Sequence, residues 1–371
     1  MATEVPNPSV RPAAQTASQG RTHYPLVDLL RGVSCLIIVL HHLTRYGPQS
    51  DHAMALVPSA IDAISSYGSL PVQIFLVISG FVGALSLERT WIDLPGFGGF
   101  LVKRYLRLGL PYLATIAYGL LLYLLIPARM ATFALFDEIS WSGMLAHFFF
   151  LQDIFGYPSL YAGFWYLAID YQLNALVFAL MLLNAGLVRT FRVQSSWGRL
   201  FTLLSLFLPL ACASIFHWNL NSRYEIYALY FFGTIFLGIV AAWAIRGRVP
   251  GAIFWAYVVI VILGLIFEWR VRLAVALATA VAIYLSARFG WNRPLGSVFQ
   301  WLSRISYSLF LTHYPTSWAV LGIGSTVSGT SPWGALGWMS ISLALSLVAA
   351  ETMYRLVEQP TQRLIESMVP K

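Results

Sequence analysis

The chain is far more apolar than a soluble protein of its length. Of its 371 residues, 58% are hydrophobic and only 10% are charged, whereas soluble domains carry about a quarter charged residues. The net charge of +8 could suit nucleic acid, but the basic residues stand between long apolar runs, as membrane orientation requires. The composition therefore excludes a soluble globular protein. It predicts a multi-pass membrane protein whose partner is the lipid bilayer and not nucleic acid.

The hydropathy pattern divides the chain into three regions. Residues 1–22 are rich in Pro, Ala, Ser and Thr and nearly lack large apolar groups, so we expect a disordered cytoplasmic tail. Residues 23–365 form the predicted transmembrane domain, and residues 366–371 form a short cytoplasmic C-terminal tail. We expect no appended soluble domain. The first apolar run contains Asp28 and Arg31 and has no small-residue cleavage site, which argues against a signal peptide.

Ten apolar runs predict membrane-spanning helices, each of which needs roughly 20 residues. They cover residues 26–46, 70–87, 108–127, 164–187, 200–216, 226–245, 252–267, 273–287, 305–323 and 335–356. The apolar segment 141–154 is too short to cross, so it is predicted to be re-entrant or interfacial. The expected fold class is an all-α integral membrane protein with about ten transmembrane helices.

The basic residues predict how these helices are oriented. With ten crossings, 18 of the 23 Lys and Arg residues fall on the side of the N-terminus. The other side holds Arg45, Arg129, Arg223, Arg270 and Arg272. Because basic loops resist translocation, both termini are predicted to be cytoplasmic.

The first predicted helix carries ionisable residues on one face. Asp28, Arg31 and His42 share a stripe, because eleven residues at about 100° each return close to the starting direction. A charge inside the membrane costs roughly 2.5–3.5 kcal/mol, so charged residues in this helix indicate a structural or functional role. Arg31 and Asp28 could form an ion pair at the inner interface, with His42 a hydrogen-bonded packing residue. Alternatively, neutral His42 is a general base in the outer half of the membrane.

Two further segments bring charge to the predicted helices. Arg104 and Arg107 face the same way on a helix and follow Lys103, which suits either phosphate binding or anchoring at the inner membrane surface. Asp170 comes early in the fourth predicted span, and we expect it near the depth of His42. It could orient the imidazole, or it could be the partner of another buried donor.

The last two predicted spans contain another ionisable set. His313 lies about 12 Å inside the ninth span, too deep for an ordinary surface residue. Glu351 and Glu358 are seven residues apart and hence on one face, with Arg355 as the i,i+4 partner of Glu351. A packing role is the simpler interpretation of this set.

In combination, these segments resemble the acyltransferase-3 family of integral membrane acyltransferases, which includes bacterial O-acetyltransferases. The similarity runs from residue 24 to residue 360 and rests on six motifs. They are Asp28, Arg31 and Gly32 with His42; residues 75–81 with Ser79 and Gly80; Arg104 with Arg107; residues 165–170 ending in Asp170; Ser306 and Tyr307 with His313; and Glu358-Gln359-Pro360. One such motif would be weak evidence, whereas six in the same order are a strong signal.

The resemblance implies transfer of an acyl group, usually acetyl from cytoplasmic acetyl-CoA, to a hydroxyl of a carbohydrate or glycolipid at the outer face of the inner (plasma) membrane. It implies that His42 is the catalytic base, assisted by Asp170 and Arg31. The residues expected to bind the cosubstrate are Arg104, Arg107, Lys103 and Arg31. Further site candidates are Asp28, Ser79, His313 and Glu358.

Two other functional classes remain open from the sequence. A transporter or flippase could use the same ionisable residues as a proton relay, although no repeat of one half in the other supports it. A structural or sensory membrane protein would need no chemistry from them. No metal site is expected, because no zinc-ligand spacing is present.

Overall fold

The computed structural model describes residues 23–46, 48–88, 92–126, 140–291 and 293–368. The predicted tail 1–22 and residues 369–371 of the predicted C-terminal tail lie outside the described residues. Most of the described chain is helical and none of it is a strand, which confirms the all-α fold class.

Fourteen helices follow one another along the described chain. They are α1 (Pro25–Arg45), α2 (Pro48–Ala53), α3 (Pro58–Tyr67), α4 (Pro71–Leu87), α5 (Leu94–Leu125), α6 (Trp141–Phe148), α7 (Phe164–Thr190), α8 (Ser196–Phe216), α9 (Phe232–Ile245), α10 (Gly251–Phe267), α11 (Val271–Arg288), α12 (Ser297–Ser328), α13 (Pro332–Met353) and α14 (Gln359–Ser367). Short 3₁₀ turns connect α8 to α9, and a π-helical turn, Tyr354–Glu358, connects α13 to α14.

The long helices coincide with the ten predicted spans. Eight stretches of the described chain are long and apolar enough to cross a membrane, with α3 and α4 together forming one of them. The other two predicted spans are α10, which is apolar but has 17 residues, and α12, which has 32 residues but carries many polar side chains. The α12 helix packs between α1 and α13. Ser303, Ser308 and His313 bond residues of other segments, whereas most of its other hydroxyls bond backbone carbonyls of α12 itself.

Both described ends of the chain lie on one side of the bundle. His23 and Glu366, close to the two ends, line a common cavity. On this same side the carboxylate of Glu88, at the end of α4, pairs with Arg246 and Arg248, which follow α9, at 3.1 Å each. We call this the terminal side and the other the opposite side.

The helices α4 and α9 approach each other closely through two glycines. Gly80 of α4 faces the backbone carbonyl of Ile235, and Gly238 of α9 faces that of Val77. A Cβ atom at either position would overlap the facing carbonyl oxygen. Small residues of this kind allow backbones in membranes to come into direct contact, and here they hold α4 against the centre of the bundle.

Residues 140–163, the described part of the connection between α5 and α7, contain only a helix too short to cross a membrane, in line with the prediction for 141–154. This helix, α6, has 8 residues, about 12 Å of rise. The buried His147 fixes it, because its Nε2–H donates to the Pro158 carbonyl (3.1 Å) and its Nδ1 accepts from the Tyr112 hydroxyl (2.6 Å). Leu160 and Tyr161, just before α7, are only 1% and 3% exposed. The α7 helix therefore begins inside the protein and not at its surface.

Candidate active site

Two connected cavities enter the bundle from the terminal side. The outer one, which we call the vestibule, has a volume of about 900 Å³ and is lined by Asp28, Gln362 and Glu366 among others. The inner one, which we call the chamber, holds about 150 Å³. Arg31 and Arg107 belong to the lining of both. The vestibule is of the size that accommodates a cofactor-sized ligand, whereas the chamber admits only a slender group.

Arg31 and Arg107 present positive charge to these cavities. Arg107 is an exposed residue, and its side chain lines both the vestibule and the chamber. Neither guanidinium makes a hydrogen bond or an ion pair with a residue that the structure describes. Two cations without a bound acid form a site suited to an anion, and a guanidinium matches the geometry of phosphate. Lys103, the third predicted cosubstrate-binding residue of this run, does not line either cavity.

Arg104 also lines the chamber, but its charge is already paired. Its Nη2 atom lies 2.6 Å from Oδ2 of Asp170 and 3.1 Å from the Ser79 hydroxyl oxygen. The Ser79 hydroxyl donates to Oδ1 of Asp170. Asn174, one turn after Asp170, donates to the Ser79 oxygen at 3.1 Å and to the Asp170 carbonyl at 2.8 Å. These four residues form a closed hydrogen-bonded cluster in the chamber wall.

Asp170 and His42 form no hydrogen bond with each other in the described chain. Asp170 binds Arg104 and Ser79 instead, which corresponds to the alternative interpretation of a partner for another buried donor. The depth predicted for Asp170 assumes that α7 begins at the membrane surface. The residues that lead into α7, Leu160 and Tyr161, are buried, and Asp170 lies at the level of Arg104.

Two other predicted acids occupy defined places near the cavities. Asp28 pairs with His23 at 2.6 Å and accepts from the Ser303 hydroxyl at 3.2 Å, so the ion pair between Asp28 and Arg31 considered from the sequence is not formed. The carboxylate of Glu358 lines both cavities and accepts from Ser308 at 2.6 Å and from Gln362 at 3.0 Å.

The face predicted for the acids of the last span is also observed. Glu351 accepts from Trp301 of α12 at 2.9 Å, and Glu358 accepts from Ser308 of the same helix. Arg355 binds Glu351 at 2.6 Å, as predicted for an i,i+4 pair.

His42 and His313 form a hydrogen-bonded pair between α1 and α12. The Nδ1 atom of His42 lies 2.6 Å from Nε2 of His313, and the two rings stack at a centroid distance of 4.9 Å. The Nδ1 atom of His313 lies 2.9 Å from the backbone carbonyl oxygen of Leu309. His313 is fully buried, whereas His42 is partly exposed and adjoins the rings of Tyr46 and Tyr314.

Three aromatic rings of the chamber wall pack together, and one of them also contacts the histidine pair. Phe75, Tyr166 and Phe310 line the chamber, and their centroids lie 5.7–6.2 Å from one another. The Phe310 ring is 6.3 Å from the ring of His313. We call these three residues the aromatic partition. Their place in the site was not predicted from the sequence, because aromatic residues are common throughout this chain.

Asn174 is another residue of the site that was not predicted from the sequence. Its spacing of four from Asp170 places both side chains on one face of α7, which was the available signal. The role of Asn174 depends on Ser79 of α4, and that contact between distant segments could not be read from spacing.

The family model of the acyltransferase-3 family, described as an acyltransferase domain, matches residues 24–351. The chain belongs to this family. Comparisons with curated proteins and with solved structures gave no match. The arginines that line the cavities and the histidine pair lie within the matched region, so we interpret them as parts of the active site of a multi-pass membrane acyltransferase. Within the described part of the chain, no group of three or more His, Cys, Asp and Glu side chains could hold a metal ion.

Proposed function

We propose that this acyltransferase moves an acetyl group from acetyl-CoA to a hydroxyl of a cell-surface or lipid-linked carbohydrate. The observation that carries the proposal is a cavity that opens on the terminal side, contains two guanidinium groups that form no ion pair with a described carboxylate, and is separated from a histidine pair by the ring of Phe310. An acyl-CoA has the matching parts: an anionic nucleotide head, a slender arm and a thioester at its tip.

The vestibule is the proposed site of the nucleotide head. Arg31 and Arg107 supply charge for its phosphates, and the vestibule is wide enough for a cofactor-sized group. From Arg31 to His42 the α1 helix rises about 16 Å, a span comparable with an extended pantetheine arm. The narrow chamber would guide this arm toward the histidines, once the aromatic partition lets the thioester pass.

The proposed reaction is general-base catalysis by His42. Its imidazole takes the proton of the acceptor hydroxyl while the oxygen attacks the thioester carbonyl carbon. The carbon–oxygen bond forms, the carbon–sulfur bond breaks, and the proton passes from His42 to the leaving thiolate of CoA. Asp170, in this scheme, holds Arg104 in the chamber wall and does not contact the base.

The proposed orientation places the terminal side in the cytoplasm of the plasma (inner) membrane. The 18 basic residues on the side of the N-terminus support it, since only five lie on the other side. Acyl-CoA would then enter from the cytoplasm, and the carbohydrate would approach the partly exposed His42 from outside.

The proposal is tested with purified protein in proteoliposomes. Wild-type protein should release CoA from acetyl-CoA in an acceptor-dependent manner, and mass spectrometry of cell-surface glycans and glycolipids should show an acetyl increment that depends on the gene. His42→Ala should abolish both. His217→Ala, a change at an exposed histidine, is the control and should be active. Near-normal activity of His42→Ala would refute the role of the base. Movement of a substrate across the bilayer without use of acetyl-CoA would instead favour a transporter.

A further inference from the structure

The hydrogen bonds of His313 determine which of its nitrogens carries a proton. Its Nδ1 atom lies 2.9 Å from the Leu309 carbonyl oxygen, and a carbonyl oxygen only accepts. The proton must therefore be on Nδ1, since an unprotonated Nδ1 would bring two lone pairs together. In the neutral ring, Nε2 is then the unprotonated nitrogen and an acceptor.

The same reasoning extends to His42. Its Nδ1 atom lies 2.6 Å from Nε2 of His313. Because that nitrogen is the acceptor, the Nδ1 atom of His42 must be the donor. The proton of neutral His42 is thereby placed on Nδ1, and its Nε2 atom keeps a free lone pair. This Nε2 atom makes no hydrogen bond with a described residue.

The opposite direction of the bond would require a charged His313. With protons on both of its nitrogens, His313 would donate through Nε2, and Nδ1 of His42 would have to be the acceptor. His313 is 0% exposed, and a buried cation needs an acid partner. Neither ring makes a hydrogen bond or ion pair with a carboxylate in the described chain. The groups that face the pair are the rings of His41, Tyr46, Tyr314 and Phe310.

We propose that His313 is a positioning residue, which together with the Leu309 carbonyl holds His42 in the Nδ1–H tautomer and leaves Nε2 as the basic nitrogen. This inference rests on the proposed function, in which His42 is the base. It gives His313 the supporting part for which Asp170 was considered from the sequence. A neutral acceptor suits this buried position because, unlike a carboxylate, it adds no charge to the protein interior before His42 takes a proton from the acceptor hydroxyl.

The kinetic test compares substitutions of His313 that keep or remove the acceptor. His313→Leu has no acceptor for the Nδ1–H of His42, and we expect kcat to fall about 10²-fold or more while KM for acetyl-CoA stays the same. His313→Gln places an amide oxygen at the level of the lost Nε2 atom and should recover much of this loss. Thr312→Val removes a hydroxyl that bonds only within α12, and it is the matched control with unchanged kcat.

A spectroscopic test measures the tautomer without activity. The chain has seven histidines, so ¹⁵N-histidine labelling gives a spectrum in which His42 is identified by its absence from His42→Ala. We expect wild-type His42 to show a protonated Nδ1 and an unprotonated Nε2, and His313→Leu to lose this preference. His313→Gln should keep it.

Three results would overturn the inference. They are a wild-type His42 with its proton on Nε2, an unchanged kcat in His313→Leu, and an equal loss of kcat in His313→Leu and His313→Gln. An active His42→Ala protein would refute the proposed function instead, and the tautomer measured in the wild-type spectrum would stand independently of that result.

Discussion

At the scale of single residues, the partners of each charged group decide what it can do. Arg104 is neutralised by Asp170 at 2.6 Å, so its first role is to hold the chamber wall together. Arg31 and Arg107 line the same cavities, and neither forms a hydrogen bond or ion pair with an acid in the part of the chain that the structure describes. The three arginines, similar in the sequence, are thus divided by the structure into one structural cation and two cations that remain open to a ligand.

In the proposed function, loss of Arg107 should weaken binding of the acyl donor. Arg107→Ala is expected to raise KM for acetyl-CoA about 10- to 100-fold, because a hydrogen bond to a charged group is worth about 1.5–3 kcal/mol. Steady-state kinetics with varied acetyl-CoA measures it. Lys103→Ala changes a nearby cation that lines neither cavity, and KM should be little altered. Equal effects of the two changes would mean that only the general charge of this run matters.

Loss of the acid partner of Arg104 should destabilise the fold. Asp170→Asn leaves a largely buried guanidinium uncompensated, and removing one member of a buried pair costs about 3–5 kcal/mol. Thermal unfolding in detergent should show a clear decrease in Tm. Glu225→Gln breaks the more exposed pair with Arg272 and should cost about 0–1 kcal/mol. If the two variants unfold at the same temperature, the pair in the chamber wall has no special importance.

The residues of the site were more predictable than their contacts. Helical spacing placed Arg104 and Arg107 on one face, and both indeed line the chamber. It also brought attention to His42 and His313, but nothing in the spacing of either helix indicates that α1 and α12 are neighbours. The two histidines are 271 positions apart in the sequence, and helix packing decides which side chains become partners.

At the scale of helices, the direct contact between the α4 and α9 backbones depends on the absence of side chains at Gly80 and Gly238. Gly80→Ala should destabilise the protein by about 1–3 kcal/mol or more, because the new methyl group meets the Ile235 carbonyl and must push α4 away from α9. Since Ser79 and Asp170 connect α4 to α7, activity should fall as well.

The control for this change is a glycine in open space. A Cβ at Gly186 of α7 meets nothing within 4 Å, and alanine there should be neutral or stabilising by up to about 1 kcal/mol, as expected from helix propensity. Thermal unfolding of the two variants side by side decides between them. Unchanged stability of Gly80→Ala would show that α4 and α9 can separate without cost.

The helices themselves followed from hydropathy, but their depth did not. All ten predicted spans correspond to observed helices, because a run of about 20 apolar residues has few alternatives in a membrane. The start of α7 is the exception in depth. Leu160 and Tyr161 precede it and are buried. Hydropathy does not predict that the residues leading into a helix lie inside the protein.

At the scale of the whole molecule, the two sides of the bundle should face different compartments. In a protein in which Cys35 and Cys212 are replaced by Ala, Ser222→Cys adds a thiol on the opposite side and Ser367→Cys adds one on the terminal side; both serines are exposed. A membrane-impermeant maleimide applied to intact cells should label Ser222→Cys. It should label Ser367→Cys only after permeabilisation. The reverse pattern would place the vestibule outside the cell and exclude cytoplasmic acyl-CoA as its ligand.

The aromatic partition bears on when the donor and the base of the proposed reaction can meet. Phe75, Tyr166 and Phe310 keep the water-accessible chamber apart from the histidines while the rings are in place. If the proposed function holds, a thioester in the chamber is separated from His42 until these rings move. Hydrolysis of the donor would then be suppressed before the acceptor binds, and the movement of the three rings would be the step that commits the enzyme to turnover.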